Sequence, residues 1–355
     1  MDNNPDFIVD SDAEREFAVQ ALKAVSVPDD HAHIVADTLV ESDLKGVYSH
    51  GIQILPRYIR GLKNGINPTP VVKTEIDMGA LATVDGDCGL GQVSAVQSME
   101  LAIEKARKHG IASVVTKNTN HLGALAYYGM MAVKAGMFGI CCTNGPAVMA
   151  PWGGVTETLS NNPICFAAPS QNSYPVVLDM AVSMAARNKI RVAADKGETI
   201  PSGWALDRDG NPVTDPKVAL EGLLAPMAGA KGFGMAVVIE ILTSVLSGGL
   251  IGKNVPTDTM KSTDVFYPVY VSHYFQVIDI SRLMPIEKFT ERVDQISNQV
   301  HESELASGTS AVYMPGELEF ITREKRIKDG IPLPAAVLSN LNRIASEISI
   351  DQITI

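Results

Sequence analysis

Apolar positions in the first 70 residues recur with the helical period. Within residues 11–27, Phe17, Ala18, Ala21, Leu22 and Val25 share one face, and Ser11 followed by Glu14 has the form of a capping box. Beyond Pro28, Asp29 or Asp30 caps a second helix that ends near Gly46. Pro56 suits the first turn of a third helix, which reaches Lys63 before Gly65 and Pro68 stop it. The pattern changes at Val71, where alternating residues with Gly-rich turns predict paired strands. A helix from Gln92 to His109, a strand over 111–118, a helix over 122–135 and a strand over 137–144 follow. This β-α-β order predicts parallel pairing with a right-handed crossover.

Two apolar runs, 162–170 and 174–181, predict further strands, and 182–196 a helix. The turn-rich segment 202–216 reads as a loop or hairpin over the sheet edge. Residues 229–250 form a Gly-opened, mostly buried helix. A strand over 274–280, a helix from Ile286 to Ser303, a short strand over 311–315 and a final helix from Ala335 complete the chain. The prediction is an α/β protein. Its helical layer is built from residues 1–70 and 286–355, the latter including the short C-terminal strand, and flanks a core of residues 71–285.

Composition narrows the function classes. The 355 residues are 46% hydrophobic and 19% charged, as in an ordered enzyme. A net charge of −11 disfavours nonspecific nucleic-acid binding. The longest apolar candidate, Gly234 to Leu246, is interrupted by Glu240 and Thr243 and is too short to span a membrane. The polar, acidic N-terminus has no signal-peptide pattern. Cys88, Cys141, Cys142 and Cys165 form no C-x-x-C pair, and the seven histidines have no metal-ligand spacing. The expectation is a reduced, cytoplasmic protein without metal, nucleic-acid or membrane partners.

The candidate chemistry centres on residues 117–154. His121 lies in a polar turn between a strand and a helix; such a histidine serves as a cap, or as a reactive group at the strand edge where α/β sheets bind ligands. Ser49-His50-Gly51 precedes a helix, and His50, Arg57 and Tyr58 fall on one helical face, able to hold an organic acid. Asp179 ends an apolar strand and reads first as an N-cap; Arg187 and Lys189 read as a solvated face. Asn144-Gly145 and Asn162 sit at strand ends that suit a flat ring or phosphate. GLGQVS (89–94) has Ser94 in place of the third glycine and is no dinucleotide fingerprint. Lys231 and Gly232, at a Gly-rich helix start, form a candidate anion cradle.

Several of these segments together resemble one family. Ser49-His50-Gly51 with Leu55-Pro56-x-Tyr58, Asn120-His121-x-Gly123, TNGPAVMAPWGG (143–154), NNPICFAAP (161–169), LDMA (178–181), WALDRDGNPVTDP (204–216), KGFGMA (231–236) and MPGELE (314–319) are similar to the malate/L-lactate dehydrogenase family unrelated to Rossmann-type enzymes. The resemblance implies a non-Rossmann mixed-sheet core binding NAD or NADP, a small 2-hydroxy or 2-oxo acid substrate, and a homodimer with its site near the subunit contact. It implies His121 as catalytic acid/base, assisted by His50 and Asp179; Ser49 and Tyr58 of the matching motifs, and Arg57 from the shared helical face, are the candidates at the substrate. Gly145, Asp179, Met180, Ala181, Lys231, Gly316 and Glu317 match cofactor positions; Asn144, Asn162 and Gly232 lie in the quoted motifs, and Lys189, on the helix that follows LDMA, joins them as a candidate. Ile54 departs from the pattern, since relatives such as ureidoglycolate dehydrogenase carry a substrate-holding arginine there. Either Arg57 replaces it or the substrate differs, which leaves open a cyclic-imine or diketo-acid reductase. A catalytically silent nucleotide-binding relative is the remaining alternative.

Overall fold

The computed structural model describes residues 7–257 and 268–355. Strand β1 (Phe7–Val9) leads into α1 (Ser11–Lys23), α2 (Asp29–Leu44) and α3 (Leu55–Lys63). The cap of α1 is Asp10, whose carboxylate accepts the N–H groups of Asp12 and Ala13, so Ser11 is already helical. Glu14 is not part of a capping box; it is fully buried. Pro28, rather than Asp29 or Asp30, precedes α2. Two short 3-10 turns, Tyr48–His50 and Ile52–Ile54, connect α2 to α3, so His50 and Tyr58 do not share one helix.

The core begins with β2 (Lys73–Met78) and β3 (Leu81–Asp85). It continues through α4 (Gly91–His109), β4 (Ile111–Thr119), α5 (Ala126–Lys134), β5 (Phe138–Thr143), β6 (Ile164–Ala168) and β7 (Val176–Met180). Then come α6 (Arg187–Lys196), a small sheet of β8 (Ala205–Leu206), β9 (Pro212–Val213) and β10 (Leu223–Leu224) with α7 (Pro216–Glu221) between, and α8 (Ala230–Glu240). The predicted helix over 229–250 does not stay regular: α8 passes into a π-helical turn, Ile241–Val245. Strand β11 (Val271–Ile278), α9 (Ile286–His301), α10 (Glu317–Asp329), β12 (Ile331–Leu333) and α11 (Ala335–Ile348) finish the chain.

The seven-stranded sheet has the order β2-β3-β4-β11-β5-β6-β7. The strands on either side of α5, expected to pair in parallel, do not pair with each other. β11 lies between β4 and β5 and is antiparallel to both, so they run in the same direction without touching. The parallel pair is β3 with β4, bridged by α4. Local periodicity carries no information about a strand arriving from more than 100 residues away.

Helices α4 and α5 cover one face of this sheet, burying Met99, Ala102, Tyr128 and Ala132 against Val114, Cys141 and Phe275. On the other face, Ile190, Ala236 and Ile239 of α6 and α8 pack on Val115, Cys142, Ile164 and Tyr274. A separate apolar cluster joins α1, α2, α3 and α11 and reaches Leu90 and Val93 at the start of α4. β1 and β12 pair antiparallel beside it, tying the chain's two ends together. The short C-terminal strand is therefore β12. Residues 311–315 form no strand, although Pro315 accepts one hydrogen bond from Val177 N–H at 2.9 Å on edge strand β7.

Candidate functional site

The end of β4 carries His121, and its backbone is held from several directions. Asn120, 1% exposed, donates its amide to the carbonyls of Cys88 and Gly89 at 3.0 and 2.8 Å, and its Oδ1 accepts the Val269 N–H at 2.9 Å. Tyr128 donates its hydroxyl to the Leu122 carbonyl at 2.5 Å. Gly91, at the start of α4, passes so close that a Cβ there would stand 2.0 Å from the Asn120 carbonyl oxygen. The turn is a rigid pedestal, as a preorganised reactive group requires.

His121 Nδ1 lies 2.7 Å from the Tyr58 hydroxyl. Its ring stacks on His50, with centroids 5.4 Å apart and planes 21° from parallel. His50 Nδ1 in turn lies 2.8 Å from Ser49 Oγ. Helix α3 and the turn before it thus bring Ser49, His50 and Tyr58 to one imidazole across the boundary between the helical layer and the sheet. Burial, aided by the charges of His50, Arg57 and His273, holds His121 well below the ordinary imidazole range; burial pulls His50 down to about 4. Both rings are neutral at physiological pH. Tyr58 is 1% exposed, and burial keeps its phenol protonated. With Nδ1 engaged by Tyr58, Nε2 of His121 is the atom available to a ligand.

Arg57 is half-buried, and its charge reaches His121, Tyr58 and Arg191 of α6. Burial lowers its guanidinium to about 10, which leaves it charged at neutral pH. Ile54 packs against the helical-layer core instead.

Asp179 is in β7, but it does not cap the helix that follows it, which starts only at Arg187. Its Oδ2 accepts the Ala126 N–H of α5 at 2.8 Å, so it caps a helix that precedes it by 53 positions. Surrounding protein pushes the carboxyl towards about 6. The N–H groups of Ala126 and Leu125 pull the other way, towards the charged form. It bonds to neither imidazole.

Beyond β7, Met180 and Ala181 are half-buried and lead to the start of α8. Met227 N–H bonds the Val182 carbonyl and Met184 N–H the Ala225 carbonyl, both at 2.8 Å. Lys231 is exposed in the first turn of α8, whose N-terminus has no side-chain cap, and Gly232 fits against the Met227 carbonyl, 2.1 Å from where a Cβ would stand. Gly316, at φ 87°, packs on Val177 of β7. Glu317 accepts from His301 Nε2 at 2.8 Å and from the Met314 N–H at 2.7 Å. Lys189 is exposed on α6.

Asn144 and Asn162 are buried, and their amides are turned inward onto Glu240. Asn144 Nδ2 lies 3.3 Å from Oε1 and Asn162 Nδ2 2.9 Å from Oε2, while the Gly252 N–H adds a bond of 2.8 Å. Gly145 sits beside them, with Ser160 Oγ 2.7 Å from a Cβ position. Glu240 is a residue that sequence reasoning passes over, although an acid inside an apolar helix is the signal for such a network. His273 of β11 is another. Fully buried, it bonds Thr143 Oγ1 at 2.8 Å, and burial lowers it to about 3. Among the described residues no group of three or more His, Cys, Asp or Glu side chains is placed to hold a metal. None of the described helices is long and apolar enough to cross a membrane.

The family model for malate/L-lactate dehydrogenase matches residues 9–342. The chain is 39% identical over 344 residues to malate dehydrogenase of Pyrococcus horikoshii, covering 94% of each chain. It is 31% identical to a (2R)-3-sulfolactate dehydrogenase (NADP(+)) of Chromohalobacter salexigens, covering 92% of this chain and 95% of that one. The solved structure of sulfolactate dehydrogenase from Methanocaldococcus jannaschii superposes with a TM-score of 0.89 at 39% identity, over 97% of this chain and 98% of that one.

Proposed function

This chain belongs to the malate/L-lactate dehydrogenase family, an enzyme of the 2-hydroxy-acid dehydrogenase class, and from that premise we propose that it interconverts a small 2-hydroxy acid and its 2-oxo acid with NAD or NADP, using His121 as acid/base. The observation that carries this reading is the Tyr58 hydroxyl 2.7 Å from His121 Nδ1 on a ring stacked against His50. That arrangement orients the imidazole and leaves Nε2 to the substrate oxygen. In oxidation Nε2 accepts the hydroxyl proton; in reduction it returns a proton to the carbonyl oxygen. His50, neutral and bonded to Ser49, packs the ring in place and presents its other edge to the substrate.

The residues fit a nicotinamide dinucleotide. The uncapped N-terminus of α8, with the exposed Lys231 ammonium, lies beside the chain leaving β7 and supplies the N–H groups and positive charge that a diphosphate needs. When bound, the cofactor supplies the hydride acceptor or donor. Met180, Ala181 and Gly316 would line its approach along β7. Gly145 with Asn144 and Asn162 forms the wall behind, Glu240 fixing the two amides. Asp179 and Glu317 fix the backbone at Ala126 and Met314, whose N–H groups they accept.

Arg57 holds the substrate carboxylate in place of the arginine that Ile54 lacks. Its support is the guanidinium's half-buried position and its charge acting on His121. The test is nicotinamide absorbance with both cofactors against malate, lactate, sulfolactate and ureidoglycolate, and in reverse against 2-oxo acids and cyclic imines. Turnover of a hydroxy acid by the wild type, with KM raised about 30-fold in Arg57→Ala through loss of a charge-assisted contact, is the expected result. Turnover confined to cyclic imines, or an unchanged KM, overturns the assignment of substrate or of Arg57 respectively.

The partner is a second copy of the chain. Met235, Val238, Ile241, Val245 and Leu246 are all exposed along α8 and its π-helical continuation, a stripe that suits an isologous contact. Sedimentation should give twice the 37.9 kDa chain mass; a monomer at micromolar concentration overturns this.

A further inference from the structure

Two carboxyl groups meet inside the helical layer against the turn that carries His50. Glu14 of α1 is 0% exposed and Asp43 of α2 is 3% exposed. Their carboxyls lie against each other, and neither Glu14 oxygen receives an N–H or O–H from any described residue. Two carboxylates are acceptors only and repel in contact, whereas one proton between them supplies the missing donor.

Asp43 faces the turn directly. Its Oδ2 accepts the Ile52 N–H at 2.5 Å, and a Cβ on Gly51 would stand 2.0 Å from its Oδ1. Only a glycine after His50 lets the carboxyl lie this close to the backbone. The charged groups around the pair are Arg15 on α1 and Arg326 on α10. Arg15 is paired with Asp12 and Asp37. Arg326 donates to the Asp43 main-chain carbonyl and to the Tyr48 hydroxyl, so it braces the other end of the same turn. Burial raises both carboxyls, Asp43 to about 7.

We propose that Glu14 and Asp43 hold one proton between them and that this acid pair positions the Ser49-His50-Gly51 turn beneath His121. The positioning half rests on His50 belonging to the catalytic site; the shared proton does not. The unfolded carboxyls titrate near 4, and the folded pair retains its proton to higher pH. Stability from the pair is therefore complete below about 4 and is lost as pH rises through the folded value.

The experiment follows the thermal midpoint from pH 5 to 9 in wild type and Glu14→Gln, together with kcat and nicotinamide affinity. The wild-type midpoint falls across this window, and the Gln variant, whose amide donates without titrating, flattens that fall. Glu14→Leu, with no donor, loses roughly tenfold in kcat by displacing the turn with nicotinamide affinity unchanged, and Glu14→Gln recovers it. Parallel midpoint profiles in wild type and Glu14→Gln overturn the shared proton. Unchanged kcat in folded Glu14→Leu overturns the positioning role. Should Glu14→Leu fail to fold, Asp43→Asn replaces it: its Oδ1 still accepts from Ile52, so kcat at pH 9 rises relative to wild type, and a kcat ratio constant from pH 6 to 9 overturns the proposal. A flattened midpoint profile in a protein without turnover on any substrate separates the two readings, sustaining the proton pair and refuting the catalytic site.

Discussion

Replacing His121 with asparagine lowers kcat by about 10²–10⁴, the range of a lost general acid/base, while nicotinamide binding persists. The asparagine keeps a polar side chain near the Tyr58 hydroxyl but cannot accept and return a proton. Steady-state turnover paired with a fluorescence titration of reduced cofactor checks both halves, and near-normal turnover refutes the role. The wild-type pH profile adds a second reading. Burial and neighbouring positive charge depress the His121 pKa, so the neutral, proton-accepting form persists as pH falls. Oxidation in the wild type accordingly holds level below the ordinary imidazole value of about 6.5. An acid limb centred at or above that value contradicts the depressed pKa.

Gly91→Ala is expected to be nearly as damaging without touching any reacting group. The new Cβ would stand 2.0 Å from the Asn120 carbonyl oxygen and 2.6 Å from the His121 carbonyl carbon. Both are backbone atoms in a turn already fixed by Asn120, so neither side yields easily. Overpacking of this kind costs about 1–3 kcal/mol, and displacement of the imidazole by even 1 Å costs roughly 100-fold in kcat. Urea unfolding and turnover on the same preparation measure the two effects. A variant with wild-type kcat shows that the pedestal has slack, and the rigidity assigned to it is then wrong.

What the sequence made legible follows the range of the interaction behind it. Most helices and strands are written in local periodicity, and they appear close to where the pattern puts them. His121 was visible because a histidine at a strand end is a local feature. Tyr58 was visible too, as a residue near the substrate; its bond to His121 spans 63 positions and has no local sign. Asn144 and Asn162 looked like open strand-end amides, but their acceptor Glu240 lies 96 and 78 positions further on. Glu14 had the spacing of a capping box because that pattern is local, whereas Asp43, its actual partner, lies on the next helix. Helix α10 was missed because its apolar residues are few and Leu318, Ile321 and Ile327 are exposed, which leaves Phe320 alone and no face to read. Family resemblance supplied what periodicity could not, the assignment of roles to residues scattered along the chain.

The position of β11 governs how the protein can be made. Val271–Ile278 is the strand that joins β4 to β5, and the chain reaches it only after three-quarters of synthesis. Until then β4 and β5 have no strand between them, and the edges that face that gap are left with unpaired backbone groups. Those edges are the same pair that β11 later closes, so they are exposed to mispairing for as long as the ribosome takes to reach residue 278. His121, at the tip of β4, gains the Asn120 clamp to Val269 only in that final stage. A chain stopped before β11 therefore carries every residue of the proposed acid/base centre and cannot assemble it.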